Sequence, residues 1–403
     1  MKLLFLTPYL PSPPTFGGQR RLHGLMGALA RRHDVSILSL HNPVDPYDDW
    51  LAQTRAQYGD VTALVNPLFG LKGRDKRLAQ LRSLASTRSW DAISHRHEPL
   101  TQALRERLER GSFDALVVEF AQMAVNLEGV RLPPRLKLVL DEHNVEFDLQ
   151  RRTARSAESL VRRVFQEANW RKLEREEVAA WRRFDGVSAT SARDLEHVQA
   201  HAPRVPRALV PNGVDLQTFA PPAQPPEDDT VVFFGAHNYF PNADGLTFLF
   251  EQIWPKVRAL RPSARLRVVG PPPDDSVRRL APPGVQIEGF VKDVAAEVGR
   301  AAVAIAPLRI GGGTRLKVVE AMALARPVVA TRIGAEGLEV EDGRDLLLVD
   351  DPRAYAEAIA RLLANPAEAR ALGLRGRQRA EAAYGWDASA QKFERLLEQV
   401  VRA

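Results

Sequence analysis

The segment Ala302–Thr331, AVAIAPLRIGGGTRLKVVEAMALARPVVAT, constrains the fold more than any other stretch of the chain. Val303–Ile305 is short, apolar and rich in β-branched residues, as a buried strand should be. Three consecutive glycines, Gly311–Gly313, come next. From Thr314 a helix-period segment rich in Ala, Leu and Met stops before Pro327, where Val328-Val329-Ala330 begins another apolar strand. Strand, glycine loop, helix and strand is the wiring of a parallel sheet, and the loop falls at the carboxyl end of a strand, where such sheets bind ligands. Glycines let backbone N–H groups approach a ligand closely, and a helix start adds partial positive charge. Arg315 and Lys317 put two mobile cations in the same turn. That chemistry suits a diphosphate. The same residues also fit a flexible loop ahead of a core helix, with its basic side chains solvated.

At 403 residues the chain is too long for one ordinary core, so two domains are expected. Its arginine excess is scattered and mostly interleaved with glutamate, which argues against a dedicated nucleic-acid surface and fits anionic small molecules or an anionic membrane equally well. With no cysteine, disulfides, thiol nucleophiles and Cys-ligated metals are excluded. The apolar run in MKLLFLTPYLPSPP is too short for a signal peptide, and no run approaches the roughly 18 residues of a spanning helix. The expected location is cytoplasmic, with peripheral contact on the inner face of the membrane as an extension of it.

Lys2–Thr7 is nearly all apolar, as a buried parallel strand is. A proline-rich turn ends in Gly17-Gly18, a helix over 19–32 places Leu22, Leu25, Met26 and Leu29 on one face, and Val35–Leu40 is the next strand. This βαβ opening lacks the G-x-G-x-x-G fingerprint, which disfavours a nicotinamide enzyme. The Gly17-Gly18 loop is either a ligand-closing loop or plain turn chemistry. Strands are also expected at 113–118 and Leu136–Leu140, the latter delivering Asp141-Glu142-His143-Asn144-Val145-Glu146 to the ligand edge of the sheet. His143 can place a neutral donor or a cation near developing charge, with Asp141, Glu142 or Glu146 orienting its ring. In residues 150–183, ten Arg and Lys oppose five Glu, and Val161, Val164, Phe165, Trp170, Leu173, Trp181 and Phe184 are available for burial. Such a basic amphipathic surface can lie on anionic lipid or simply be solvated. Gly186–Thr190 is expected to be the last strand of this domain.

Seven prolines in 203–226 break the composition and mark the domain junction. Beyond it, Val231–Phe234, Leu266–Val269, Val285–Ile287, the opening segment and 345–349 alternate with helices (one over about 243–260), which is a second doubly wound domain. The expected units are residues 1–204, residues 205–385, and a C-terminal helix 386–403 that packs back on the first.

Taken in order, Gly17-Gly18, DEHNVE, LVPNGVDLQTF, the strand end at Gly235, EGFVKD and GGGTRLKVVEAMA resemble the retaining nucleotide-sugar glycosyltransferases of family 4 over almost the whole chain. The resemblance implies a GT-B fold, α/β, with two doubly wound Rossmann-like domains facing each other across a cleft. It implies an N-terminal acceptor domain and a C-terminal donor domain. Glu320 would hold the donor ribose; Gly313, Thr314, Arg315, Leu316 and Lys317 would hold the diphosphate; Gly312, Gly235, Gly17 and Gly18 would also belong to the donor site; main-chain groups near Phe290 and Val291 would read the base; and His143 would sit beside the transferred sugar. A carboxylate does have the acceptor geometry for a vicinal diol, although Glu320 and Lys317 also fit an ordinary helix ion pair.

Two positions depart from the family. Gly312 stands where a sugar-binding glutamate is usual, and His237-Asn238-Tyr239 replaces a basic pair, leaving Arg315, Lys317 and Arg309 to supply phosphate charge. No Asp-x-Asp pair occurs, so no metal is suggested, and the co-substrate would be a nucleotide-diphosphate sugar with no separate cofactor. The expected partners are that donor and an acceptor glycan, lipid or other hydroxyl, in cell-envelope or polysaccharide synthesis. A nucleotide-sugar epimerase or hydrolase on the same fold, and a non-catalytic nucleotide-sugar binding protein, are the rival readings.

Overall fold

The computed structural model describes residues 1–154, 160–237, 239–310 and 315–402. The chain divides into two compact units, Met1–Pro211 with Ser389–Ala403, and Asn212–Ala388.

In the first unit, β1 (Lys2–Thr7), β2 (Asp34–His41), β3 (Val61–Val65), β4 (Ala115–Glu119), β5 (Lys137–Glu142), β6 (Gly186–Ala189) and β7 (Arg207–Leu209) form one parallel sheet. Its order is β3-β2-β1-β4-β5-β6-β7. The chain winds outward from β1 to β3, returns to the other side of β1, and winds outward again, so the strand order reverses between β1 and β4. Ligands of such sheets bind at that reversal, beyond the carboxyl ends of the strands. Leu3 to Leu6 and Leu116 to Val118 are completely buried, because helices cover both faces and an alternating pattern would put polar groups in the core. β6 is not the last strand of this unit: β7 follows it, pairing Val187 with Arg207, and the unit runs to Pro211, past the junction expected near residue 204.

The second unit repeats the plan with β8 (Glu227–Phe234), β9 (Arg265–Val269), β10 (Val285–Gly289), β11 (Ala301–Ala306), β12 (Val328–Ala330) and β13 (Leu347–Leu348). They are parallel in the order β10-β9-β8-β11-β12-β13, which puts the reversal between β8 and β11. β13 is only two residues long, because Asp345 turns back instead, its carboxylate accepting from the Glu341 amide. The helical run after β8 begins at Phe240, earlier than the expected start near 243, and is broken by a π-turn over Leu249–Ile253.

The C-terminal helix, Trp386–Arg402, buries Phe393, Leu396, Leu397 and Val400, and from Ser389 onward it belongs to the first unit. Glu394 on it accepts from Arg32 at 2.7 and 2.9 Å and pairs with His33 at 2.8 Å. The long helix Leu160–Arg183 buries Leu173 and Trp181 and is followed by buried Phe184, but Val164 is exposed and Phe165 and Trp170 are only half-buried. The Val161 side chain lies outside the described residues. Several cations of this region are held internally: Arg151 and Arg152 by Asp148, Arg171 by Glu167, Lys172 by the Ser83 and Leu84 carbonyls, and Arg182 by the His201 carbonyl.

Candidate functional site

In the first unit the polar residues converge at the ends of β4, β5 and β6. The register places Glu119 beside Asp141 and Asp141 beside Ser188, three polar groups in a row across three apolar strands. Arg21 reaches this row from the helix Gly17–Ala30. Its Nε and Nη2 donate to the two Asp141 oxygens at 2.8 and 2.6 Å, and its Nη1 donates to the Val210 carbonyl at 2.9 Å. Ser188 Oγ donates to Asp141 Oδ1 at 2.5 Å. His143 Nε2 lies 2.8 Å from Glu119 Oε2, with Asp141 Oδ2 farther off at 3.7 Å. The ring is therefore oriented by Glu119, a residue one strand away, rather than by Asp141, Glu142 or Glu146. Glu142 instead accepts from Trp181 Nε1 at 2.8 Å, and Glu146 pairs with the Asn144 amide.

Burial sets the protonation of this cluster. It alone would raise the Asp141 carboxyl, but the Arg21 charge and hydrogen bonds outweigh it and hold Asp141 below the usual carboxylate range. Burial, reinforced by the neighbouring Asp141, pushes Glu119 well above that range. Burial also drops His143 to about 3, Arg21 adding to the effect against the pull of Asp141. At neutral pH the consistent assignment is an Asp141 carboxylate on Arg21 and a neutral Glu119 acid whose O–H faces the Nε2 of a neutral His143. That tautomer leaves Nδ1–H as the ring's donor. Glu119 Oε1 is buried with no hydrogen-bond partner, as a neutral acid tolerates far better than a carboxylate would.

Glu119, Asp141 and His143 offer three ligand atoms within 4.8 Å of one another. Both Asp141 oxygens are already engaged by a guanidinium, which would have to be displaced and would repel a cation. The cluster fits an organic ligand's hydroxyls better than a metal.

The rim of this cluster is aromatic. Phe120, at φ 67°, turns sharply after β4 and lays its ring 4.0 Å from that of His143, centroid to centroid. A non-glycine residue held in that conformation costs of order 1–3 kcal/mol. Tyr9 packs edge-on against Phe120 and Phe16. Gly18 sits against Tyr9: a Cβ there would lie 1.8 Å from the Tyr9 hydroxyl. Gly17 is exposed at the first turn of the same helix, the one that follows β1.

In the second unit, a glycine follows β8 and β9 directly, Gly235 and Gly270, and β10 ends in Gly289. The Gly235 amide donates to the Val269 carbonyl and the Gly270 amide to the Gly289 carbonyl, at 3.0 and 2.9 Å. Gly270, at φ 134°, admits no side chain, since a Cβ would stand 2.0 Å from the Gly235 carbonyl oxygen. Phe290 follows β10 and is 74% exposed, with Val291 half-buried behind it.

Across the reversal point, the helix Leu316–Ala323 begins at Arg315 with no side-chain cap. Arg315 is buried, donating to the Ile333 carbonyl at 3.1 Å and to Glu336 at 3.2 Å. Lys317 Nζ donates to Asn242 Oδ1 at 2.6 Å and lies 4.2 Å from the centre of the Phe233 ring. Burial lowers its pKa to about 7, the Arg315 charge contributing and Glu320 opposing. His237 is fully buried and held neutral, at about 4, by burial and then by Lys317. Glu320 is buried one helical turn beyond Lys317. Arg309 stands apart from them, its guanidinium paired with Asp244 at 2.6 and 3.0 Å. Gly312, Gly313, Thr314 and Asn238 lie outside the described residues.

Residues 228–365 match the family model described as Glycosyl transferases group 1. They form a group 1 glycosyl transferase domain. A D-inositol 3-phosphate glycosyltransferase of Kineococcus radiotolerans is 31% identical over 237 residues, covering 48% of this chain and 52% of that one. A GDP-mannose-dependent monoacylated alpha-(1-6)-phosphatidylinositol monomannoside mannosyltransferase of Corynebacterium glutamicum is 27% identical over 217 residues, 48% of this chain and 56% of that one. The chain thus spans about half the length of the curated relatives it matches. Sucrose-phosphate synthase of Thermosynechococcus elongatus has a TM-score of 0.74 at 20% identity, over 100% of both chains. Anabaena HepE, solved with UDP, has a TM-score of 0.67 at 16% identity, over 99% of this chain and 100% of that one. The fold is GT-B, two Rossmann-like units in one chain.

Gly235, Phe290, Val291, Arg315, Leu316, Lys317 and Glu320 all fall in the group 1 domain, at or beside the carboxyl edge of its sheet. Asn242, His237 and Glu336 share that edge, and of these only His237 was singled out from sequence. Asn242 sits six residues past Phe234-Gly235-Ala236, and its side chain donates to the Ala236 carbonyl while accepting Lys317. In the first unit, sequence reasoning passed over Glu119 and Arg21. A carboxylate closing the apolar run ALVVE is the signal that marks Glu119.

Proposed function

We propose that the chain is a metal-independent glycosyltransferase that moves a sugar, with retention, from a nucleotide-diphosphate sugar to a hydroxyl acceptor. The observation that carries this reading is the Arg315–Lys317–Glu320 helix start at the open glycine edge of a group 1 domain. Lys317, with a pKa near 7, is a desolvated cation one diphosphate away from full protonation. Glu320 supplies a carboxylate for a ribose diol, and exposed Phe290 a flat apolar surface for a base. The names of the relatives, one for D-inositol 3-phosphate and one for a monoacylated phosphatidylinositol monomannoside, support a phosphorylated or lipid-linked polyol or glycan as acceptor, in cell-envelope synthesis. The UDP held by HepE supports a nucleotide donor.

In this reading the cationic helix start neutralises the departing diphosphate, as electrostatic stabilisation of developing charge. The departing phosphate oxygen accepts the acceptor's proton in a front-face attack. His143, neutral and with Nδ1–H as its donor, hydrogen-bonds the sugar and does not act as a nucleophile.

A thermal-shift screen across UDP-, GDP-, ADP- and dTDP-sugars tests donor binding, because a ligand raises apparent stability by mass action. One donor class should raise the melting temperature, and Glu320→Ala should abolish that rise. His143→Ala should keep the rise and lose turnover by at least about a hundredfold; full turnover in that variant would sink the assigned role. Release of free sugar or an epimer from donor alone would favour the hydrolase or epimerase reading. Donor binding with no transfer to any acceptor would favour the binding protein.

A further inference from the structure

The helix Gly73–Ser83, GRDKRLAQLRS, is built inside out. The side it turns to the protein is small and polar: Ser83 is buried, and Ala79 and Gln80 are half-buried. Leu78 and Leu81 point outward at 49% and 47% exposure. They share their face with Arg74 and Arg77, since 74, 77, 78 and 81 fall at i, i+3, i+4 and i+7. An eleven-residue helix is marginal in water without a buried apolar stripe, and this one buries no apolar side chain. It is held instead at its end, where Lys172 Nζ donates to the Ser83 and Leu84 carbonyls at 3.0 and 3.2 Å.

The charge on this helix is also unanswered. Lys72, Arg74, Lys76, Arg77 and Arg82 face a single acid, Asp75, and none of the five has an ion pair among the described residues. Over the long basic helix Leu160–Arg183, by contrast, Arg171, Lys172 and Arg182 are held by the protein itself.

We infer that the outward face of Gly73–Ser83 is a docking surface for an anionic lipid bilayer. Two leucines flanked by arginines match a headgroup boundary, where the apolar tips enter the acyl region and the guanidinium groups pair with lipid phosphates. Arginine and lysine stems also reach sideways while keeping their charge in the polar layer. A nucleic acid or an acidic protein loop would answer the cations but leave Leu78 and Leu81 in water, so the leucines select the lipid. The inference is independent of the proposed reaction, because it concerns only this helix and is read by binding alone.

The test is co-sedimentation of the full chain with vesicles of phosphatidylcholine, with and without phosphatidylglycerol. Binding should require phosphatidylglycerol and weaken as salt rises. The pairs Arg74→Glu/Arg77→Glu and Leu78→Ser/Leu81→Ser should each lower partitioning by about tenfold or more. All four side chains are exposed, so both variants should keep the parent melting temperature. Absence of binding to the anionic vesicles overturns the inference. So does equal binding to neutral vesicles, or binding that the leucine pair leaves unchanged. Retention on a polyanion such as heparin with no vesicle binding would overturn it in favour of a nucleic-acid or acidic-protein partner.

Discussion

Arg21 and Asp141 show how one pair fixes the electrostatics of its surroundings. The two are buried together, and Arg21 has both Asp141 oxygens. Removing one partner of such a pair leaves an uncompensated charge, which costs about 3–5 kcal/mol. Arg21→Met should therefore lose stability of that order at neutral pH, measured by urea unfolding. The sign of the pH dependence follows from the lowered Asp141 pKa: its contribution is present above the unfolded value near 3.9 and is lost as pH falls through the folded value. In the variant Asp141 protonates readily in acid and its penalty disappears. The gap between the two proteins should close below about pH 4; a gap independent of pH would contradict the assignment. With Asp141 charged and Glu119 neutral, His143 is left as a neutral donor, and that is the role assigned to it.

At the level of elements, the helix Leu316–Ala323 works through its first turn. Arg315 is immobilised by Ile333 and Glu336, while Lys317 rests on Asn242 and the Phe233 face. An arriving diphosphate would restore the lysine charge that burial has weakened. The bound pKa then lies above the free value of about 7, so the attraction is complete below pH 7 and declines as pH rises above it. Affinity for a nucleoside diphosphate should fall by up to about tenfold per pH unit above 7 until the bound lysine itself titrates. Lys317→Gln should bind more weakly at pH 6 and show a flat profile. Isothermal titration at several pH values reads both, and a flat wild-type profile would remove Lys317 from the diphosphate site. The strand-end glycines make this edge usable, because side chains at Gly235 or Gly270 would occupy it.

For the whole molecule, the C-terminal helix ties the end of the chain to the first unit. Phe393, Leu396, Leu397 and Val400 are buried, each worth about 1.5–3 kcal/mol as an upper estimate. Their sum is comparable with the whole stability of an ordinary domain, 5–15 kcal/mol in round terms. A chain ending at Ala388 should keep cooperative unfolding of the second unit and lose it in the first. Calorimetry should show one transition where the full chain shows two, and UDP-sugar addition should raise the one that remains. Two unchanged transitions would show that the helix contributes little.

Local patterning along the chain is enough to place the two doubly wound units and the neighbourhoods of both candidate sites. Strand and helix periodicity are local, and the residues that interrupt apolar strands at their ends, charged Asp141 in one unit and Gly235 in the other, mark the carboxyl edge without knowledge of the third dimension. β7 escaped this reading because three half-buried residues beside prolines carry almost no periodic signal. Which groups meet is a matter of packing. Glu119 faces His143 across 24 residues and Arg21 meets Asp141 across 120, so no local spacing encodes either pair. Arg309 and Lys317 are both basic residues near the same glycines, yet one is neutralised by Asp244 and the other is kept desolvated beside Asn242. Both partners stand on the helix Phe240–Phe248, and packing alone decides which of them each cation reaches. In the same way, Leu78 and Leu81 have the helical spacing of core residues, and only the packing of Ala79 and Ser83 against the body turns them outward.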